Sequence, residues 1–482
     1  YRASGFLRPT STQKIDSATV LASAPLWFVP NPKDAYVYVY CATGSVYSLV
    51  PATYALAAVT GLDAADSLGN GADYYDNYLY LARNLDIARY GPLNGTPSLI
   101  TNFWTGTLGK TALAATTYPS LVQATRALPN HPMHLHRSDG RLYFGDVVGN
   151  QGYLHFIKTT KTTVEGDTNN GSTYQALAFV HGYWPIAIES YGTDLAVALY
   201  EGSNNTGTIQ RRAKLSFWDT TATNYNKIID VEFPDPIITA LKNVNGVLWT
   251  FSGQLGQLGT RVCRFIGGYS FEQVAYLEDS EPPFAGAVDA ILNRVLFSGL
   301  VADVNGGTKL PCVWGINSKT GVFTGVFNVM GCSNSSVAAD ITALKVVDQD
   351  GFNFPIPVIG HTDATNHGID RQTNDYGRTN QIWRSPVFRI GKPFKVKKIR
   401  IPLAQAVAAN MTLVPKVFVD EETTSYTLAT INNTNYSGKK NITYRPDGCT
   451  GEHDLFLELK WSGTALCTVA LPIEIVLELI DD

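Results

Sequence analysis

Val247-Leu248-Trp249-Thr250-Phe251 is the stretch from which the fold can be read. It is apolar, β-branched and aromatic, with no dominant helix former, and it predicts a strand. A glycine-rich turn follows from Ser252-Gly253 to Gly259. Arg261-Val262-Cys263-Arg264-Phe265-Ile266 then predicts a second strand, ended by Gly267-Gly268. A single hairpin of this kind is barely stable in water. Its meaning comes from recurrence.

The same unit returns along the chain. Tyr36-Val37-Tyr38-Val39-Tyr40 is followed across Thr43-Gly44 by Ser45-Val46-Tyr47-Ser48-Leu49, and Tyr78-Leu79-Tyr80-Leu81-Ala82 by Ile87-Ala88-Arg89-Tyr90. Arg141–Gly145 precedes Tyr153–Ile157, Asp194–Leu199 precedes Lys214–Asp219, and Arg294–Gly299 precedes Cys312–Ile316. A weaker seventh copy starts at Phe354-Pro355-Ile356-Pro357-Val358. The copies lie about 40 to 65 residues apart, the range of β-propeller blades. In a propeller, sheets of about four strands pack radially around a channel. The remaining strands are expected in the weaker apolar runs between the pairs, such as Ile237-Ile238-Thr239-Ala240-Leu241. The spacing gives about seven blades, with six or eight also compatible. The segment from Ser17 to Leu26 is expected to supply the outer strand of the last blade, closing the ring and removing an open edge. Residues 1–16 are polar and aperiodic. They read either as a frayed terminus or as an arm that orders against a partner.

Composition narrows the class. Of 482 residues only 16% are charged while 11% are aromatic, which favours strands and turns over helices. The net charge of −4 lacks the basic excess of a dedicated nucleic-acid binder. No apolar run approaches the ~20 residues of a membrane-spanning helix. No signal-peptide pattern is visible, and the first residue is not Met, as in a processed or trimmed chain. Six cysteines in this length do not make a disulfide scaffold. Cys41, Cys263 and Cys312 read as small buried hydrophobes in or beside strands, and Cys332 is assigned no role. Cys449 and Cys467 could pair, but spacing does not decide it.

Candidate chemistry is sparse. His134 and His136 fall on one face of a strand beside His131, a usable metal-ligand spacing, with Asp139 the nearest carboxylate and more simply a turn residue. His361, Asp363, His367 and Asp370 form a looser group. Asp86, Asp146, Glu201 and Asp303 follow predicted strands, where a propeller hydrolase would place its acid and base. The ordinary reading of all four is a solvated turn. No phosphate-binding loop, nucleophile elbow or Cys-x-x-Cys pair occurs. The chain is therefore expected to be no enzyme, with no catalytic, cofactor-binding or metal residues assigned.

Beyond Gly377 the character changes, giving expected domains at 1–16 (arm), 17–377 (propeller) and 378–482 (β-sandwich). From Arg378 to Arg400, Arg384, Arg389, Lys392, Lys395, Lys397 and Lys398 accumulate without an acidic residue. This is either the solvated face of a half-buried strand or a basic contact for DNA or an acidic neighbour. Strands are expected at 382–390, 394–403, 412–420, 425–431, 455–461 and 470–479, making a compact sandwich.

Trp383-Arg384-Ser385-Pro386-Val387-Phe388-Arg389-Ile390-Gly391-Lys392-Pro393, leading to Lys397-Lys398-Ile399-Arg400-Ile401, resembles a segment of tailed-phage virion proteins in which a small β domain follows a propeller-like body. Leu457-Glu458-Leu459-Lys460-Trp461-Ser462-Gly463 and Leu471-Pro472-Ile473-Glu474-Ile475 are similar in kind. The resemblance covers about the last fifth of the chain. It implies a structural tail or nozzle component of the virion, a homo-oligomeric ring in contact with other virion proteins. The alternative expectation is a glycan-binding or glycan-hydrolysing propeller, and a third is a cellular protein-interaction propeller, because this fold hosts many functions.

Overall fold

The computed structural model of the chain describes residues 6–7, 11–14, 21–32, 36–51, 53–59, 71–83, 87–104, 131–148, 151–157, 164–165, 177–201, 212–221, 229–254, 256–302, 309–321, 330–331, 339–347, 355–363, 366–373, 381–385, 387–420, 424–462, 465 and 467–480. These residues form strands almost throughout, and the helix among them is the single turn Asn433–Tyr436. The chain divides into two compact units. One is Gln13–Val322 with Gly331–Arg371; the other is Tyr1–Thr12 with Phe323–Met330 and Gln372–Asp482.

Seven antiparallel sheets follow one another, six of them built from strands adjacent in the chain and the seventh completed by Ser11–Lys14 from its beginning. Their first strands are Pro25–Pro30, Ala72–Tyr75, Met133–Leu135, Tyr183–Tyr191, Ile237–Val244, Val288–Ile291 and Asp340–Val347, and blades 1 to 7 are numbered in that order. Each of these strands touches the next, and the seventh touches the first. The Thr342 hydroxyl closes the circle by donating to the Pro25 carbonyl at 2.5 Å. A closed circle of four-stranded meanders is a seven-bladed β-propeller, with the first strand of each blade innermost. Blade 3 carries a fifth strand, Leu177–His181.

The strand pairs read from the sequence are the central pairs of the blades. In blade 5, Val247–Gly253 pairs with Thr260–Phe265, setting Thr250 opposite Cys263 and Phe251 opposite Val262. A central strand is covered by a neighbouring blade on each face, so its residues are mostly buried on both sides instead of alternating with exposed ones. Phe251 packs on Phe297 of blade 6, with centroids 4.7 Å apart, while Phe265 meets Phe217 of blade 4 at 5.6 Å. Cys41, Cys263 and Cys312 form no disulfide and are buried among these side chains. Burial pushes the thiols of Cys41 and Cys263 up to about 12, which makes them packing atoms and not nucleophiles. Cys332 lies outside the described residues.

One expectation is corrected. The outer strand of blade 7 is Ser11–Lys14, which lies beside His367–Thr373, and not a segment within 17–26. Crossing a blade from outer to inner edge spans about 14 Å at ~4.8 Å per strand. The outer strand must therefore end well before Pro25, where blade 1 begins. Phe6–Leu7 pairs with Val469–Ala470 of the second unit, so these residues of the arm are ordered by their own chain.

The innermost strands converge closely. A Cβ on Gly286 would run into the Leu26 carbonyl oxygen, and the Gly286 carbonyl already accepts from Leu344 N–H at 2.9 Å. Gly286→Ala should therefore lower stability by about 1–3 kcal/mol, the range of overpacked cores, because backbone cannot yield as a side-chain tip does. A denaturant midpoint equal to that of the parent protein would contradict it.

The second unit is a β-sandwich. A six-stranded sheet runs in the order Gln381–Arg384, Asp454–Trp461, Thr412–Val419, Thr424–Thr427, with Phe388–Arg389 and Ile431–Asn432 as short additions. In the four-stranded sheet, Phe394–Pro402 lies between Glu474–Leu479 on one edge and Asn441–Tyr444 with Thr450–Gly451 on the other. Phe394, Val396, Ile399 and Ile401 face Leu413, Val417, Leu457 and Leu459 across one buried core. The strand expected at 382–390 is present as two shorter pieces, Gln381–Arg384 and Phe388–Arg389, with Pro386 outside the described residues. Cys449 and Cys467 are both free and buried, and burial pushes their thiols up to about 11 and about 12. No helix among the described residues is long and apolar enough to cross a membrane.

Candidate functional site

A β-bulge recurs in the innermost strands and decides what faces the axis. The ladder skips one residue at Leu26, Ile186, Thr239 and Thr342 in blades 1, 4, 5 and 7. A bulge re-aims the side chains after it. Three residues beyond stand Val29, Glu189, Lys242 and Lys345, and blades 2, 3 and 6 bring Asp73, His134 and Asp289 to the same cavity or ion pairs. Around the axis the order is Val29, Asp73, His134, Glu189, Lys242, Asp289, Lys345, so acidic and basic groups alternate.

The contacts follow the alternation. His134 Nε2 lies 3.4 Å from Glu189, Lys242 Nζ 2.7 Å from Asp289, and Lys345 Nζ 3.6 Å from the other Asp289 oxygen. Asp289 also accepts Val346 N–H at 2.8 Å. Burial pushes its carboxyl up, but Lys242 and Lys345 outweigh this and hold it at about 2. Lys242 shows the reciprocal effect: burial lowers it, and Asp289 with Glu189 carries it net upward. Asp73 differs. Burial raises its carboxyl, and His134 together with N–H donation from Tyr74 and Leu135 offsets that only in part.

The belt encloses an axial cavity of about 150 Å³ lined by all seven blades. This is below the roughly 300–1,000 Å³ of small-molecule sites. Each belt carboxylate has a cationic or imidazole neighbour. Chemically the belt is a charge-neutralising clasp at the place where the blades must meet.

The histidines read from the sequence lie partly in this belt. His134 and His136 do share a face, and both reach Ser190 of blade 4, with Oγ at 2.7 Å from His134 Nε2 and 3.0 Å from His136 Nδ1. The Thr193 carbonyl can only accept, so His136 Nε2 carries a proton and donates it to that hydrogen bond. Burial lowers the His136 imidazole, keeping it neutral. These bonds tie blade 3 to blade 4. His131 turns elsewhere, its Nδ1 bonding the Gly145 carbonyl at 3.1 Å and lying 3.6 Å from Asp146. Asp139 holds its turn, accepting from Arg141 N–H and the Tyr143 hydroxyl.

The other candidates do not converge. Asp146 is buried within blade 3 between His131 and His155, and Glu201 ends a strand of blade 4. Asp86 and Asp303 lie outside the described residues. His361 pairs with Asp370 at 3.2 Å inside blade 7, His367 bonds Thr362, and Asp363 caps a turn at Asn366. No group of three metal-ligating side chains occurs among the described residues. In the basic segment, Lys397 pairs with Glu478, Lys398 with Glu474 at 3.3 Å, and Arg384 with Glu458 at 3.0 Å. Three basic residues of that segment thus have acidic partners within the chain.

Sequence reasoning missed Asp73, Glu189, Lys242, Asp289 and Lys345. A signal was present: Ile-Thr-Ala-Leu-Lys occurs twice, at 238–242 and 341–345, with the bulge at its threonine and the belt lysine at its end.

No protein-family profile matches the sequence, and no curated protein matches it. Among solved structures, the crystal structure of the computationally designed Ika8 protein is similar at 12% identity and a TM-score of 0.41, covering 74% of this chain and 99% of that one.

Proposed function

We propose that the chain is a non-enzymatic virion structural protein, a tail or nozzle component that assembles with copies of itself and with neighbouring virion proteins. The observation that carries this reading is the belt. The axial carboxylates a propeller hydrolase would use as acid and base are set against lysines and a histidine, in a cavity too small for an oligosaccharide. The phage-like segment supports it. Its Arg384 bonds the buried Glu458, its Ser385 accepts Leu457 N–H, and its Ile399 and Ile401 enter the sandwich core. These residues serve the internal packing of the sandwich.

Multi-angle light scattering and negative-stain imaging of the purified chain, alone and mixed with the other proteins of its particle, test the proposal. A ring-shaped assembly is expected. A persistent monomer that joins no assembly and cleaves a complex glycan would overturn it in favour of the hydrolase alternative.

A further inference from the structure

We propose that the cleft at the open edge of the C-terminal β-sandwich binds a neutral carbohydrate. The six-stranded sheet ends on Thr424–Thr427 and the four-stranded sheet on Asn441–Tyr444, each with a strand partner on one side only among the described residues. Between them lies a cleft of about 450 Å³. That volume falls within the range of small-molecule sites, whereas the axial cavity does not.

The lining has the chemistry of sugar recognition. Tyr426 stands opposite the core residue Val417 and so turns inward, half-buried against the core and with its ring as one wall. Tyr444 lines the cleft from the other sheet, its hydroxyl already donated to the Ala429 carbonyl at 2.7 Å. An aromatic wall suits the C–H face of a pyranose. Ser425 and Thr427 add exposed hydroxyls.

On the rim stand Arg445 and Asp447, both exposed and neither in a hydrogen bond or ion pair among the described residues. A carboxylate accepts from two neighbouring sugar hydroxyls, and a guanidinium donates to two oxygens. Opposite charges two residues apart select against a phosphate, which Asp447 repels, and against an amine, which Arg445 repels. What remains is a neutral polyol with a hydrophobic face. This inference stands independently of the virion reading, and it places sugar recognition in the sandwich instead of at the propeller hub.

The test uses the full chain, with an array of neutral oligosaccharides and saturation-transfer NMR with maltose, lactose and methyl α-mannopyranoside. At least one neutral sugar should bind, with transfer strongest at its C–H face. Asp447→Asn and Arg445→Gln should each weaken that binding by about tenfold or more without moving the melting temperature, since both side chains are exposed. Absence of binding at millimolar sugar, binding unchanged in both variants, or a preference for phosphorylated sugars would overturn the proposal.

Discussion

Replacing Asp289 by alanine is expected to destabilise the propeller by about 3–5 kcal/mol, the cost of leaving buried charge unpaired. Lys242 and Lys345 both point at this one carboxylate, at 2.7 and 3.6 Å. Without it, two ammonium groups face each other in a low-dielectric hub, and Val346 N–H loses its acceptor. Asp289→Asn keeps the shape and that acceptor but not the charge, so most of the loss should persist. A further change of Lys242 to Met should recover part of it, because one of the two stranded charges is then gone. Guanidinium unfolding followed by fluorescence measures all three; equal midpoints for the Asp289 variants and the parent would refute the clasp.

The pH dependence has a definite sign. The Asp289 carboxyl titrates at about 2 in the folded chain against an ordinary 3.8. A depressed carboxyl means that the unfolded chain binds more protons between those values. Its contribution, on the order of 2 kcal/mol, is therefore fully present above about pH 4 and is lost as the pH falls toward about 2. Asp73 acts in the opposite sense: its raised carboxyl costs stability when ionised, and that cost is relieved on acidification. The acid limb of a stability–pH curve should accordingly be steeper in the parent protein than in Asp289→Ala.

Deleting residues 1–14 should be nearly as costly. It removes the outer strand of blade 7, Ser11–Lys14, and the two-residue strand Phe6–Leu7 that pairs with Val469–Ala470. At a net ~1 kcal/mol per hydrogen bond, the lost ladder is worth roughly 2–4 kcal/mol. The melting temperature of a unit this large should fall by about 3–5 °C. The deletion also bares the edge of His367–Thr373, and an unpaired edge is a template for association. Calorimetry should show the lower transition, light scattering a rise in mass, and a synthetic peptide of residues 1–16 should reverse both in part. A truncated chain that melts where the parent does, without association, would show that the circle is held by its hub alone.

What could be read in advance follows burial. The central hairpins announce themselves because both faces are covered, so runs such as Val247–Phe251 and Val37–Cys41 are mostly apolar and aromatic. The first strand of a blade must be apolar toward its neighbours yet tolerate an ionisable residue toward the axis. It therefore reads as a weak apolar run with one misplaced charge. Fourth strands such as Ile229–Glu232 and Glu272–Leu277 are largely exposed, with no side-chain pattern to betray them.

The order of strands, their grouping into blades, the change of character near Gly377 and the shared face of His134 and His136 are properties of neighbours along the chain, and the sequence by itself determined them. The pairing of Lys242 with Asp289, 47 positions apart, and of His134 with Ser190, 56 positions apart, exists only once the circle is closed. The same holds for Arg445 and Asp447, whose cleft needs an edge strand from each of two sheets. Electrostatic partnership depends on distances of a few ångströms, which local propensity does not encode. Only the tertiary structure decided which charges neutralise one another and which remain open to a ligand.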